Sequence, residues 1–150
     1  MIIQQLNRTD PECVKITVKN VDGGGSITTG AGVCFVQAGA SIDGISAINS
    51  TAATWEGFCG VADQDIAING YGLVVSWGLA NSVALSHVGS SITVTAGDIL
   101  KPGAVAGTFF SSITDQAVST LFYRYVIAAT TPVAVSTQSQ AYAKGIVRGL

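Results

Sequence analysis

Turn-forming residues interrupt this chain too often for it to build long helices. Eighteen glycines are spread over 150 residues, and the runs between them are rich in Val, Ile, Thr, Ser and Ala. No long helical repeat of apolar residues is present. Short β-tolerant runs bounded by turn signals mark an all-β domain. We expect a small β-barrel or β-sandwich. A chain of this length favours one domain, because it buries roughly 68–70% of the surface its unfolded form exposes. It needs no metal or disulfide staple to fold.

Individual segments sharpen that reading. In "CVKITVKNV" (Cys13–Val21), Val14, Ile16 and Val18 alternate with Lys15, Thr17 and Lys19, the pattern of a half-buried strand. "DGGGS" then makes a turn or loop. "GVCFVQ" (Gly32–Gln37) reads as a short buried strand, and the small-residue stretch "GASIDGISAINSTAATW" as a loop or one helical turn. "FCGVADQDI" reads as a strand bent at Gly60. Asn69-Gly70 predicts a tight hairpin turn between strands Phe58–Val61 and Leu73–Trp77, since both residues tolerate positive φ. On that reading Gly70→Val costs about 1 kcal/mol or more. Further strands are expected at Ser91–Thr95 and within Ser119–Ala129. Pro102-Gly103 marks a turn, "TPVAVSTQSQ" a turn or polar loop, and "AYAKGIVRGL" a closing strand with Lys144 and Arg148 near one edge.

Charge narrows the function. Only 11% of residues are charged, against a usual share of about 25%, while 48% are hydrophobic. A surface so poor in charge is expected to be covered in an assembly. Net charge is −2 and the seven basic residues are scattered, so nothing tracks a phosphate backbone, and we expect no nucleic-acid partner. The N-terminus lacks the basic and apolar regions of a signal peptide. No run of about 18 apolar residues occurs. The expectation is assembly in a cytoplasm with no membrane partner.

The patterns of catalysis are missing. "GSITTGAG" places Gly25 and Gly30 at P-loop spacing, but Ala31 and Gly32 stand where Lys and Ser/Thr are required. Gly30–Gly32 fails the dinucleotide fingerprint because Phe35 occupies the last glycine position. There is no GxSxG elbow. The lone His87 reads as a surface or strand-end residue. Glu56, Asp63 and Asp65 could pair for metal or acid–base work if the strand ran far enough to put Asp63 and Asp65 on one face; otherwise they lie on a solvated turn. Cys13, Cys34 and Cys59 cannot all pair within one chain and form no CxxC, so they read as reduced, mostly buried thiols. We expect no enzyme, no cofactor and no metal.

The stretch "GFCGVADQDIAINGYGLVVSWG", with "TAGDILKPGAVAG" and the terminal "KGIVRGL", resembles tailed-phage capsid decoration (cement) proteins and related head components. The matching residues are Gly60, Val61, Ala62, Asp65, Ile66, Ala67, Gly70, Tyr71, Gly72, Gly78, Gly97, Asp98, Leu100 and Pro102. The resemblance implies a β-barrel-like fold and a structural role on the outside of a capsid. It implies the major capsid protein as partner, a homo-oligomer (a trimer among the arrangements), and no catalytic residues. The other reading is a head-fibre, adhesion or carbohydrate-binding β-module, which exposure of Trp55, Trp77 and Tyr71 would favour.

Residues 1–12 stand apart from the β domain at 13–150. Ile2, Ile3 and Leu6 are apolar, but Pro11 interrupts any strand. We expect an extended N-terminal arm whose Ile2, Ile3 and Leu6 bind a neighbouring subunit or the capsid shell, ordering with the partner. The turns at Asp22–Gly25 and Lys101–Gly103 are the next candidate contacts.

Overall fold

The computed structural model describes residues 13–37, 39, 43–51, 53–86, 92–103, 105–111, 125–130, 132–135 and 141–149. The N-terminal arm with Ile2, Ile3 and Leu6, and also His87, lie outside the described residues. Eleven strands occur among them. They are β1 (Cys13–Asn20), β2 (Gly32–Phe35), β3 (Ser46–Asn49), β4 (Phe58–Ala62), β5 (Tyr71–Leu85), β6 (Ile92–Val94), β7 (Ile99–Pro102), β8 (Phe109–Ser111), β9 (Tyr125–Ala128), β10 (Val133–Val135) and β11 (Ala141–Arg148). A 3-10 turn, Trp55–Gly57, leads into β4. The all-β expectation holds.

Nine strands form one sheet in the order β1-β3-β2-β4-β5-β11-β9-β7-β8, and β10 pairs with β6 separately. The sheet is not a single closed barrel. It returns twice to β5, through the added pairings β1–β5 and β5–β8. The long strand β5 is therefore shared by two hydrogen-bonded circuits. One runs through β1, β3, β2 and β4, the other through β11, β9, β7 and β8.

β5 can serve both circuits because it changes which face it buries. Near its start, Val74 packs with Val18, Ile27, Val33, Cys59, Ala62 and Ile66. Further along, Val75, Ala80, Val83 and Leu85 join a second core with Leu100, Phe109, Val126 and Val147. Between Val74 and Val83 the pairing slips twice, opposite Val14/Lys15 and opposite Ala143/Gly145. Each slip is a β-bulge, which inserts a residue and re-aims the side chains that follow. A third bulge lies opposite Val33/Cys34 on β4. There Gly60 takes φ +152°, and a Cβ on it would run into the Val75 carbonyl. The bend read at Gly60 from sequence is this bulge. Within that second core Phe58 of β4 and Phe109 of β8 pack edge to face, ring centroids 5.8 Å apart, so strands of both circuits contribute to it.

Several sequence expectations need correction. β4 and β5 do pair, Val61 with Val75 and Ala62 with Val74, but the link between them is the segment 63–70 rather than a two-residue turn. Gly70 N–H closes a turn onto Ala67 C=O at 2.9 Å, and Asn69 takes the positive φ, +60°. The segment detours because Ile66 bridges to Ile27 and covers Gly72. "SAIN" is a strand, β3, whose small residues fit between β1 and β2. Lys101 and Pro102 lie inside β7, and the turn comes later, where Thr108 N–H bonds Val105 C=O. "VAV" is strand β10 rather than loop. β11 is not at an edge: it is flanked by β5 and β9. β1 alternates as expected from Lys15 to Val18, with Lys15 and Thr17 exposed and Val18 fully buried, but Val14, opposite Trp77 across the bulge that β5 makes at Ser76, is exposed.

Candidate functional site

The carboxylates that sequence could have paired are kept apart. β4 ends at Ala62, so Asp63 and Asp65 sit on the exposed turn that follows. Asp63 accepts Lys15 Nζ at 2.7 Å. That hydrogen bond and the aspartate's charge hold the Lys15 pKa above its ordinary value. Asp65 Oδ1 instead accepts the Thr29 N–H at 2.6 Å and the Thr29 hydroxyl at 2.8 Å, which hold its carboxyl below the ordinary range. These acids pin loops to the sheet. No group of three or more His, Cys, Asp or Glu side chains able to hold a metal occurs among the described residues. The thiols are unbridged, with Cys34 and Cys59 buried and Cys13 partly so. No described helix is long and apolar enough to cross a membrane.

The feature that stands out is the outer face of β5, β11, β9 and β7. Residues directly opposite one another in antiparallel strands share a face. Ile99 lies opposite Ile127, Ile127 opposite Ile146, and Ile146 opposite Leu79. This row crosses four strands, about 14 Å at the usual strand spacing. Its inner counterpart, Leu100, Val126 and Val147, is wholly buried. The outer row is not: Ile99 is 46% exposed and Ile146 42%.

Beside the row stands a second, shorter one. Trp77 has Val14 opposite on β1 and Arg148 opposite on β11. The Arg148 guanidinium lies over the Trp77 ring, 5.4 Å from its centroid. Such a contact fixes the indole while leaving it outside the core; Trp77 is 45% exposed and Val14 47%. The surface is thus an apolar band built on strands rather than loops, edged by a cation.

Trp77 was named from sequence, and so was Tyr71, which lies 64% exposed at the start of β5. Trp55 begins the 3-10 turn. Asp22–Gly25 is a turn held by Asp22, whose Oδ1 accepts the Gly24 N–H and whose Oδ2 accepts the Asn49 N–H and amide. Burial would raise the Asp22 pKa, but those donors outweigh it and hold it low. Ile99, Ile127 and Ile146 were missed. The signal was present in β11, where Tyr142, Lys144, Ile146 and Arg148 alternate with buried Ala143, Gly145 and Val147. An isoleucine in that polar register marks a covered or sticky face. Among known proteins, no family model and no curated sequence matches the chain.

Proposed function

We propose that this chain is a non-enzymatic virion structural protein, a capsid decoration or cement protein. It binds the major capsid protein lattice at the capsid surface as part of a homo-oligomer. The observation that carries the reading is the outer apolar band, Val14, Trp77, Leu79, Ile146, Ile127 and Ile99, set on a sheet whose other face is core. Strand-borne side chains present a fixed pattern and lose little freedom on docking. The low charge of the chain keeps the desolvation cost of covering such a face small. The glycine-rich resemblance to phage head proteins supplies the kind of partner. The arm residues Ile2, Ile3 and Leu6 would add a second anchor, so that deleting Met1–Asn7 leaves the domain folded but weakens assembly.

The test is co-sedimentation with purified capsids, followed by imaging of particles with and without the chain. Wild type should decorate the lattice. Trp77→Ser with Ile146→Ser should lower occupancy about tenfold or more, equivalent to at least about 1.4 kcal/mol, with the melting temperature unchanged. Absence of wild-type binding, or full binding by the double variant, overturns the reading. The exposure of Tyr71 and Trp77 favours the second reading, a head-fibre, adhesion or carbohydrate-binding module. A chain that decorates cells or glycans but never capsids would select it.

A further inference from the structure

At the far end of the same outer face, Thr28, Thr29, Asp65, Ser82 and Tyr142 line a shallow cleft of about 390 Å³. We propose that this cleft binds a neutral saccharide, with the Tyr142 ring stacked on the apolar face of a pyranose and Asp65 and the hydroxyls taking its polar rim.

The cleft is held by backbone, so its groups do not have to be ordered when a ligand arrives. Ile27 and Ile66 exchange two backbone hydrogen bonds, at 3.0 and 2.8 Å. Gly30 N–H bonds Ala62 C=O at 2.8 Å, and Ala84 N–H bonds Gly30 C=O at 2.9 Å. The Thr28–Ala31 loop is thereby clamped between β4 and β5. Both Thr29 donors fall on Oδ1 of Asp65, and no hydrogen bond among the described residues uses Oδ2. That oxygen can accept from ligand hydroxyls.

The lining selects the ligand class by exclusion. An anion such as phosphate would face the Asp65 carboxylate with no Lys or Arg among the described lining residues. A metal ion would find one carboxylate where hard cations take several oxygen ligands. A wholly apolar ligand would cover a carboxylate and four hydroxyls, those of Thr28, Thr29, Ser82 and Tyr142, without replacing their hydrogen bonds with water. A pyranose meets every requirement: hydroxyls for Asp65 Oδ2, Thr28, Thr29 and Ser82, and a flat C–H face for a tyrosine ring that is 52% exposed. The volume suits one or two sugar rings. An open cleft encloses little of its ligand, so affinity should be about millimolar.

The site is separate from the docking band. Tyr142 is four residues along β11 from Ile146, about 13 Å at strand rise. The test uses the whole chain. An array of neutral and acidic oligosaccharides is screened first. Amide chemical shifts are then followed during titration with the best neutral binder or, failing one, with maltotriose, cellotriose and tri-N-acetylchitotriose. The expected result is saturable movement of Thr29, Asp65, Ser82 and Tyr142. Tyr142→Ala should weaken binding about tenfold, while Tyr142→Phe, which keeps the ring, should retain it. Trp77→Ser with Ile146→Ser should bind sugar as wild type does, so loss of capsid docking and loss of sugar binding are read apart. No binder, retention of acidic glycans alone, shifts confined to Trp77 and Tyr71, or wild-type binding by Tyr142→Ala overturns the proposal.

Discussion

Asn20 shows how much of this fold hangs on single side chains. It is fully buried at the end of β1, and its amide donates to Gly25 C=O at 3.0 Å and Ile66 C=O at 2.9 Å. Its Oδ1 accepts the Asp22 N–H at 2.8 Å. One residue ties together the loop before Ile27 and the loop that carries Ile66. Asn20→Ala leaves those groups without their partner in a place where water has poor access. We expect a loss of about 2–4 kcal/mol in denaturant unfolding. Asn69 is a milder case. Its φ of +60° favours Gly or Asn, so Asn69→Val should cost about 1–2 kcal/mol and Asn69→Gly almost nothing. Gly70 lacks that φ, and a Cβ there would sit 3.0 Å from the Ala67 carbonyl. Gly70→Ala should therefore be the smaller perturbation of the two neighbours, the reverse of what the Asn-Gly pair alone suggests.

At the scale of elements, the loops before β3 and around Asp65 depend on ionised carboxylates. The Asp43 pKa is held down to about 2 by the Ser46 and Ile45 N–H groups and the Ser46 hydroxyl, which lead into β3. Asp65 and Asp22 are also lowered. A depressed folded pKa favours the folded state above the unfolded value near 3.8, and the contribution is lost as pH falls toward 2. Melting temperature should therefore be flat from pH 7 to about pH 5 and drop below about pH 4. Asp43→Asn should flatten part of that drop; an unchanged acid profile in this variant would show that Asp43 contributes nothing. Strand β11 carries the opposite lesson about legibility. Its alternation is plain in "AYAKGIVR", but its partners are not, because β5 is far off in sequence and β10 comes between β9 and β11. The strands β1, β2 and β4 could be read from local apolar runs. β3 and β10 could not, since Ser-Ala-Ile-Asn and Val-Ala-Val become strands only through neighbours supplied by the fold. The outer isoleucine row was invisible for the same reason: it exists only as a register across four chain-distant strands.

The whole molecule should behave as one cooperative unit, although it holds two cores. Both cores include β5, and Phe58 of one circuit lies on Phe109 of the other. Loss of either circuit strips both edges of one part of the shared strand, β1 and β4 near Val75 or β11 and β8 near Leu85. Far-UV circular dichroism and tryptophan fluorescence should therefore report one coincident urea transition. Two separated transitions would mean that one circuit stands alone. Deleting residues 141–150 should abolish that transition, since β11 is inserted between β5 and β9 rather than laid on an edge.

The placement of β5 also sets a timetable for synthesis. Its two long partners come from opposite ends of the chain: β1 has already been made when β5 appears, and β11 follows some sixty residues later. At translation rates of 5–20 residues per second, one edge of the longest strand waits about 3–12 s for its mate. During that interval Val83 and Leu85 have no finished core. An open strand edge is the usual starting point of aggregation, so the yield of soluble protein should depend on how fast the ribosome delivers the part of the message between β5 and β11. Slowing translation there would harm the product without altering a single contact in the finished protein.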